Sequence, residues 1–271
     1  MVINIYKYEV RRIFKSAIFW TFIICLLIVV DMVFFREMIN SGMVDQLMDF
    51  MESPFIGDMM KGFGVKPDTM TDVLGFYALR NTMITMTMGA LFAVIASSSL
   101  ISLEEYEKTA EFLFSRPVTR FDIMTGKLLA FHTNLFFLNF VSSIVGFISL
   151  EVFKNSEYNI YSYIILCIYT YLLTLLFGSI GLFFSLLVKR GRVFIGAVIG
   201  IVLGTYFLEI ISNVTESANF IGYFSPFKYA DKDVLREGYN LEFWNSIFFF
   251  GGILLFTIFS YRIFQKKDII L

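Results

Sequence analysis

"EEYEKTAEFLFSRPVTRFDIMTGK", residues 104–127, is a charged island between two long apolar runs. Glu104 and Lys108 stand four apart, the spacing of a helical ion pair. Phe112, Leu113 and Phe114 gather into an apolar knot, and Pro117 lacks the N–H that a continuing helix needs. Thr119 and Asp122 then have the spacing of a capping box that opens a new helix. The stretch predicts a short helix, a sharp stop, and a second helix that re-enters the apolar part of the chain. Its exposed knot needs a cover, either a partner surface or the lipid interface.

The runs on either side set the class. Hydrophobic residues make up 57% of the 271 and charged residues only 17%, against about 25% charged in soluble domains. The apolar excess falls in blocks long enough to cross a bilayer. The sequence therefore reads as an all-α polytopic membrane protein with six transmembrane helices near 16–35, 82–103, 128–150, 160–188, 193–213 and 245–264. The fourth would be about 43 Å long at 1.5 Å per residue, enough to tilt or project.

Between the spans lie an N-terminal segment 1–15, an outer segment 36–81, the opening stretch 104–127 and an outer segment 214–244, all within one transmembrane domain, 1–271. Residues 3–17 place Ile3, Tyr6, Val10, Ile13, Phe14 and Ala17 on one helical face and Lys7, Arg11 and Lys15 on another. That pattern predicts an interfacial amphipathic helix. The first span is too long for a secretory h-region and no small-residue cleavage site follows it, so it is expected to be retained. In 36–81, Ser41 and the stop at Ser53-Pro54 bracket a helix with Val44, Leu47, Met48 and Met51 on one side, the start of a small outer subdomain of amphipathic helices.

Fourteen Lys and Arg fall in 1–15, 104–127, 189–192 and 262–271, against eight in the longer segments between them. The positive-inside rule then puts both termini in the cytoplasm of a cell-membrane protein. The net charge of −1 gives no footprint for nucleic acid. Cys25 and Cys167 sit inside apolar blocks with a single histidine, His132, so neither a disulfide framework nor a metal site is expected.

Three patterns carry candidate roles. Gly196, Gly200 and Gly204 recur every fourth residue, which lets a neighbouring backbone approach, from this chain or a second copy. Eleven of the 13 methionines fall between Met32 and Met88. Among them Met32, Met43, Met48 and Met51 are candidate contacts for an amphipathic substrate, with interfacial filler as the plainer reading. Asp31 and Glu209 are acids near the outer ends of their spans, where solvation is within reach. Enzyme motifs are missing: "GDMMKGF" at 57–63 spaces its glycines like a phosphate loop, but Phe63 stands where the lysine belongs. This chain is not expected to bind a cofactor or to hydrolyse ATP.

"EYEKTAEFLFSRPVTR" at 105–120, followed by Lys127, resembles the second-to-third helix segment of ABC-2 transporter permeases. The resemblance extends to the basic N-terminal helix, to "SPFKYADKDVLREG" at 225–238 and to the "YRIFQKKDI" ending. Lys108 departs from it, standing where the family usually has a glycine. The resemblance implies a cytoplasmic coupling helix that docks into a separate ATPase subunit, which carries the ATP and magnesium. The contacts would fall on Glu111, Phe112, Leu113, Phe114, Ser115, Arg116 and Pro117. It also implies a second permease copy meeting this one along the first and fifth spans, short external helices in 214–244, and a membrane-lipid setting. The expected function is export of an amphipathic peptide or another lipophilic molecule. An ion-coupled carrier and a non-transporting anchor or sensor are the alternatives.

Overall fold

The computed structural model describes residues 2–51, 53–106, 118–187, 193–214 and 216–267. Among these there are helices and no strands. The helices are α1 (Val2–Asn40), α2 (Met43–Met51), α3 (Pro54–Gly62), α4 (Pro67–Thr71), α5 (Val73–Asn81), α6 (Thr87–Tyr106), α7 (Arg120–Phe153), α8 (Ile160–Leu187), α9 (Val193–Val214), α10 (Asn219–Gly222), α11 (Pro226–Tyr229) and α12 (Phe243–Lys266). A π-turn, Thr82–Met86, joins α5 to α6, and a 3-10 turn, Glu216–Ala218, leads into α10. Six helical rods are long and apolar enough to cross a membrane, as the sequence predicts.

α1 differs from expectation. Residues 2–40 form one unbroken helix, so no joint separates an interfacial helix from the first span. The stretch contains neither glycine nor proline, and the helix ends only where Gly42 adopts φ +68°, a conformation that costs glycine little. At 39 residues the rod is about 58 Å long, nearly twice the hydrocarbon thickness. Its inward stripe also differs: Glu9, Ile13 and Ala17 are buried, whereas Ile3 and Phe14 are exposed. Lys7, Arg11 and Lys15 face outward as expected.

The second rod starts earlier than the apolar pattern suggests. Residues 73–81, assigned from sequence to the outer segment, belong to the span that runs Val73–Ile101. Asp72 fixes this start by accepting hydrogen bonds from the Leu74 and Gly75 amides at 2.9 and 2.8 Å, an N-cap that satisfies two orphan donors. Leu74, Phe76, Tyr77 and Ala78 are then buried. Arg80, which ends the apolar run on paper, is neutralised by Asp31 across the gap to α1, Nη2 to Oδ1 2.5 Å.

The bundle is layered around two rods. The apolar stretches of Val73–Ile101 and Ile160–Leu187 are 72% and 67% buried, whereas those of α9 and α12 are only 22% and 17% buried. Glycines let the central pair meet: a Cβ at Gly181 would lie 2.9 Å from the Val94 Cα, and one at Gly89 would lie 2.8 Å from the Thr174 Cγ2. α1 runs alongside α7, with Tyr6 Oη 3.1 Å from Thr133 Oγ1 and the Phe14 ring tilted against Phe137 at 5.2 Å. The starts of α1 and α7 and the end of α12 share one end of the bundle, the termini end. At the far end, the segment after α9 inserts Phe227, fully buried between Phe177 and Tyr206 at 5.4 Å from each ring.

Candidate functional site

Among the described residues, a group of charged side chains gathers at each end of the bundle. At the termini end, α6 leads into residues 107–117 and α7 leads out of them. The seven candidate docking positions, Glu111 to Pro117, and the basic turn 189–192 lie outside the described residues. The frame around the docking segment is described. α7 opens with the predicted capping box: Thr119 Oγ1 accepts from the Asp122 amide at 3.1 Å, and Asp122 Oδ2 accepts from the Thr119 amide at 3.2 Å. Next to it, Arg120 Nη1 donates to the carbonyls of Phe264, Gln265 and Lys267 at 3.1, 3.1 and 2.7 Å. A cation at these orphan carbonyls caps the end of α12 and complements its dipole. The exit from the docking segment is thereby tied to the last helix.

About two turns deeper along α7, Lys127 is 1% exposed. Its Nζ lies 2.8 Å from Glu9 Oε1 on α1 and donates to the Leu100 carbonyl of α6 at 2.6 Å. Glu9 is equally buried, and its Oε2 lies 2.7 Å from Arg12 Nη2 without the alignment of a hydrogen bond. Two charges in such a place persist only when paired. Glu9 is a residue that the amphipathic reading of α1 passed over. The signal was available, because Glu9, Ile13 and Ala17 repeat at four-residue spacing and Lys127 lies in the same charged island.

At the far end, a cavity of about 430 Å³ opens between the α3–α4 turn, α5 with the π-turn, α9 and the segment after α11. Leu79, Met83, Tyr206 and Ile210 give it apolar walls, and Lys66, Lys232, Glu209 and Asp233 place charges around it. Two ion pairs span this rim: Lys232 Nζ to Glu209 Oε1 at 3.0 Å and Lys66 Nζ to Asp233 Oδ2 at 3.5 Å. Beside it, Asp231 pairs with Arg236 at 2.7 Å and holds that guanidinium above its ordinary pKa. Tyr239 donates to the Asp231 carbonyl at 2.7 Å, and burial pushes its hydroxyl pKa up.

The other sequence candidates fall in several places. Around Gly196, Gly200 and Gly204 an added Cβ would meet nothing within 4 Å. Close approaches inside the chain occur at other glycines, among them Gly89, Gly146, Gly178 and Gly181. Met32 is buried in the core at 1% exposure, Met48 is half-buried against it and Met43 is 39% exposed; the side chain of Met51 is not among those described. Met32, sealed in the core, does not share an exposed surface with Met43, whereas Met83 lines the far-end cavity. Asp31 and Glu209, the acids singled out in the spans, are both ion-paired. Among the described residues no His, Cys, Asp and Glu cluster has the makings of a metal site.

Removing one member of the Asp31–Arg80 pair isolates the more buried partner. Arg80→Met is expected to destabilise the bundle by about 2 kcal/mol, below the usual cost for a broken buried pair because Arg80 is partly exposed. Adding Asp31→Leu should return most of that loss, as thermal unfolding of the two variants in nanodiscs will read. A further loss in the double variant contradicts the pairing.

Compared with known families, the chain matches the model of the ABC-2 family transporter proteins over residues 3–269. No curated protein matches it.

Proposed function

The chain belongs to the ABC-2 transporter family, and from that premise we propose that it is the permease of an ATP-driven exporter, powered by an ATPase docked on residues 111–117. Members of this family form the transmembrane part of ABC transporters and typically work with a separate ATPase subunit. The observation that carries the proposal is the frame at the termini end. Two rods of the bundle enter and leave the docking segment, and Arg120 and Lys127 bind that segment's exit to α12, α1 and α6. A displacement imposed there by nucleotide-driven closure of the ATPases would pass into the bundle as rigid-body motion.

The termini end is then cytoplasmic, in keeping with its excess of Lys and Arg, and the far end faces outward across the cell membrane. The substrate is an amphipathic peptide or another amphipathic, lipophilic molecule. The far-end cavity suits such a molecule, offering apolar walls to its body and a charged rim to its polar end. A second permease copy would seat against the open face of α9 at Gly196, Gly200 and Gly204, together with the outer face of α1. The ion-coupled alternative loses ground because Asp31 and Glu209 already hold cationic partners.

The test is catalytic. The ATPase subunit that accompanies this chain, reconstituted with it in nanodiscs, should hydrolyse ATP at a rate several-fold different from that of the ATPase alone. An identical rate with and without the permease contradicts the proposal.

A further inference from the structure

The buried Glu9–Lys127 pair has a cost that stability alone does not justify. Both side chains are 1% exposed, and taking two ions out of water carries a desolvation penalty that their attraction must first offset. Apolar residues of similar size would often hold the same helices together as well or better. What the charges add is direction. Lys127 Nζ reaches Glu9 Oε1 at 2.8 Å and the Leu100 carbonyl at 2.6 Å, so one ammonium fixes the register of α7 against both α1 and α6. A greasy contact lets helices slide by a fraction of a turn; two short charge-assisted hydrogen bonds do not.

The location gives that register a use. Leu100 lies six residues before the end of α6, and Lys127 lies seven after the start of α7. The Glu9–Lys127 pair therefore clamps both arms of the docking segment, just inside the bundle, onto α1. Arg12 steadies the other oxygen of Glu9 from the next turn of α1. We propose that Glu9 and Lys127 are positioning residues of the transport cycle: they couple α1 to the α6–α7 arms so that motion of the docking segment moves α1 with it. This rests on the permease reading above. Without the pair, the arms would shift while α1 stayed behind.

The proposal predicts a separation of stability from transmission. Take the full complex in nanodiscs, with Cys25 and Cys167 replaced by serine and spin labels at Phe34→Cys on α1 and Trp244→Cys on α12. Both positions are exposed at the far end, at 49% and 76%. In the otherwise unmodified chain, ATP with vanadate should change the distance between the labels. In the double variant Glu9→Met with Lys127→Met the ATPase should remain bound and active, the melting temperature should hold, and the distance change should fall by more than half. Should that variant fail to fold, Glu9→Gln, which keeps the side-chain length and an acceptor, is expected to show the same loss. The swap Glu9→Lys with Lys127→Glu should not rescue the movement, because a carboxylate would then face the Leu100 carbonyl. Lys127→Arg should preserve it. Full movement in the Met/Met or Gln variant, or rescue by the swap, overturns the proposal while leaving the permease reading intact. An unmodified complex that turns over ATP with no movement of α1 also overturns it, and one that neither binds nor hydrolyses ATP overturns both.

Discussion

Aspartate at both Phe112 and Leu113 is expected to strip the ATPase from the complex and leave the membrane bundle folded. The knot Phe112–Leu113–Phe114 sits in an otherwise charged island, and the permease reading buries it in a pocket of the ATPase. Central apolar anchors of this kind typically contribute about 2 kcal/mol or more each. Replacing two of them with carboxylates loses that contribution and adds unpaired buried charge. A combined loss above about 4 kcal/mol weakens binding by about a thousandfold, enough to abolish co-purification. The bundle should not notice, because α7 is capped downstream by Thr119 and Asp122 and clamped by Arg120. Pull-down of the ATPase and thermal unfolding of the permease, measured on the same sample, check both halves. Retention of the ATPase removes the docking role from this helix.

Gly181→Val should be the most damaging single change in the described bundle, and Gly200→Val among the mildest. At Gly181 even the first added carbon meets Val94 at its Cα, 2.9 Å away. Backbone cannot step aside as a flexible side chain can, so the central α6–α8 contact must open along its length. Overpacking of this sort costs about 3 kcal/mol, a large part of a typical stability margin. At Gly200 nothing lies within 4 Å, and a change within about 0.5 kcal/mol is expected for the isolated chain. If a second copy packs on that face, Gly200→Val should lower dimer yield in cross-linking without lowering the melting temperature of the chain. Equal thermal losses at the two positions contradict the packing described here.

The contrast between these glycines marks where sequence reading succeeds and where it stops. A bilayer demands long apolar helices, so composition and spacing located all six rods, and the cap of α7 could be read residue by residue. The start of the second rod could not. Arg80 looks like the edge of a span until Asp31, 49 residues away, is known to neutralise it. Regular spacing drew attention to Gly196, Gly200 and Gly204, yet the glycines that admit a neighbour within the chain are irregularly placed. Their need arises from what stands opposite them, and a single sequence does not contain that. Glu9 was passed over although its spacing with Ile13 and Ala17 was legible; what the sequence withholds is that Lys127, 118 residues away, stands against it. An acid at the start of a basic amphipathic helix reads as solvated until Lys127 is placed against it.

The measurement that bears most directly on the central claim is an affinity isolation. The tagged chain is extracted gently from its native membrane, and its stoichiometric companions are identified by mass spectrometry. A permease of this kind should emerge with a subunit that carries a Walker motif, and should lose it on adding Phe112→Asp and Leu113→Asp. A chain that emerges folded and alone would contradict an ATPase-driven exporter and bring the ion-coupled carrier to the front.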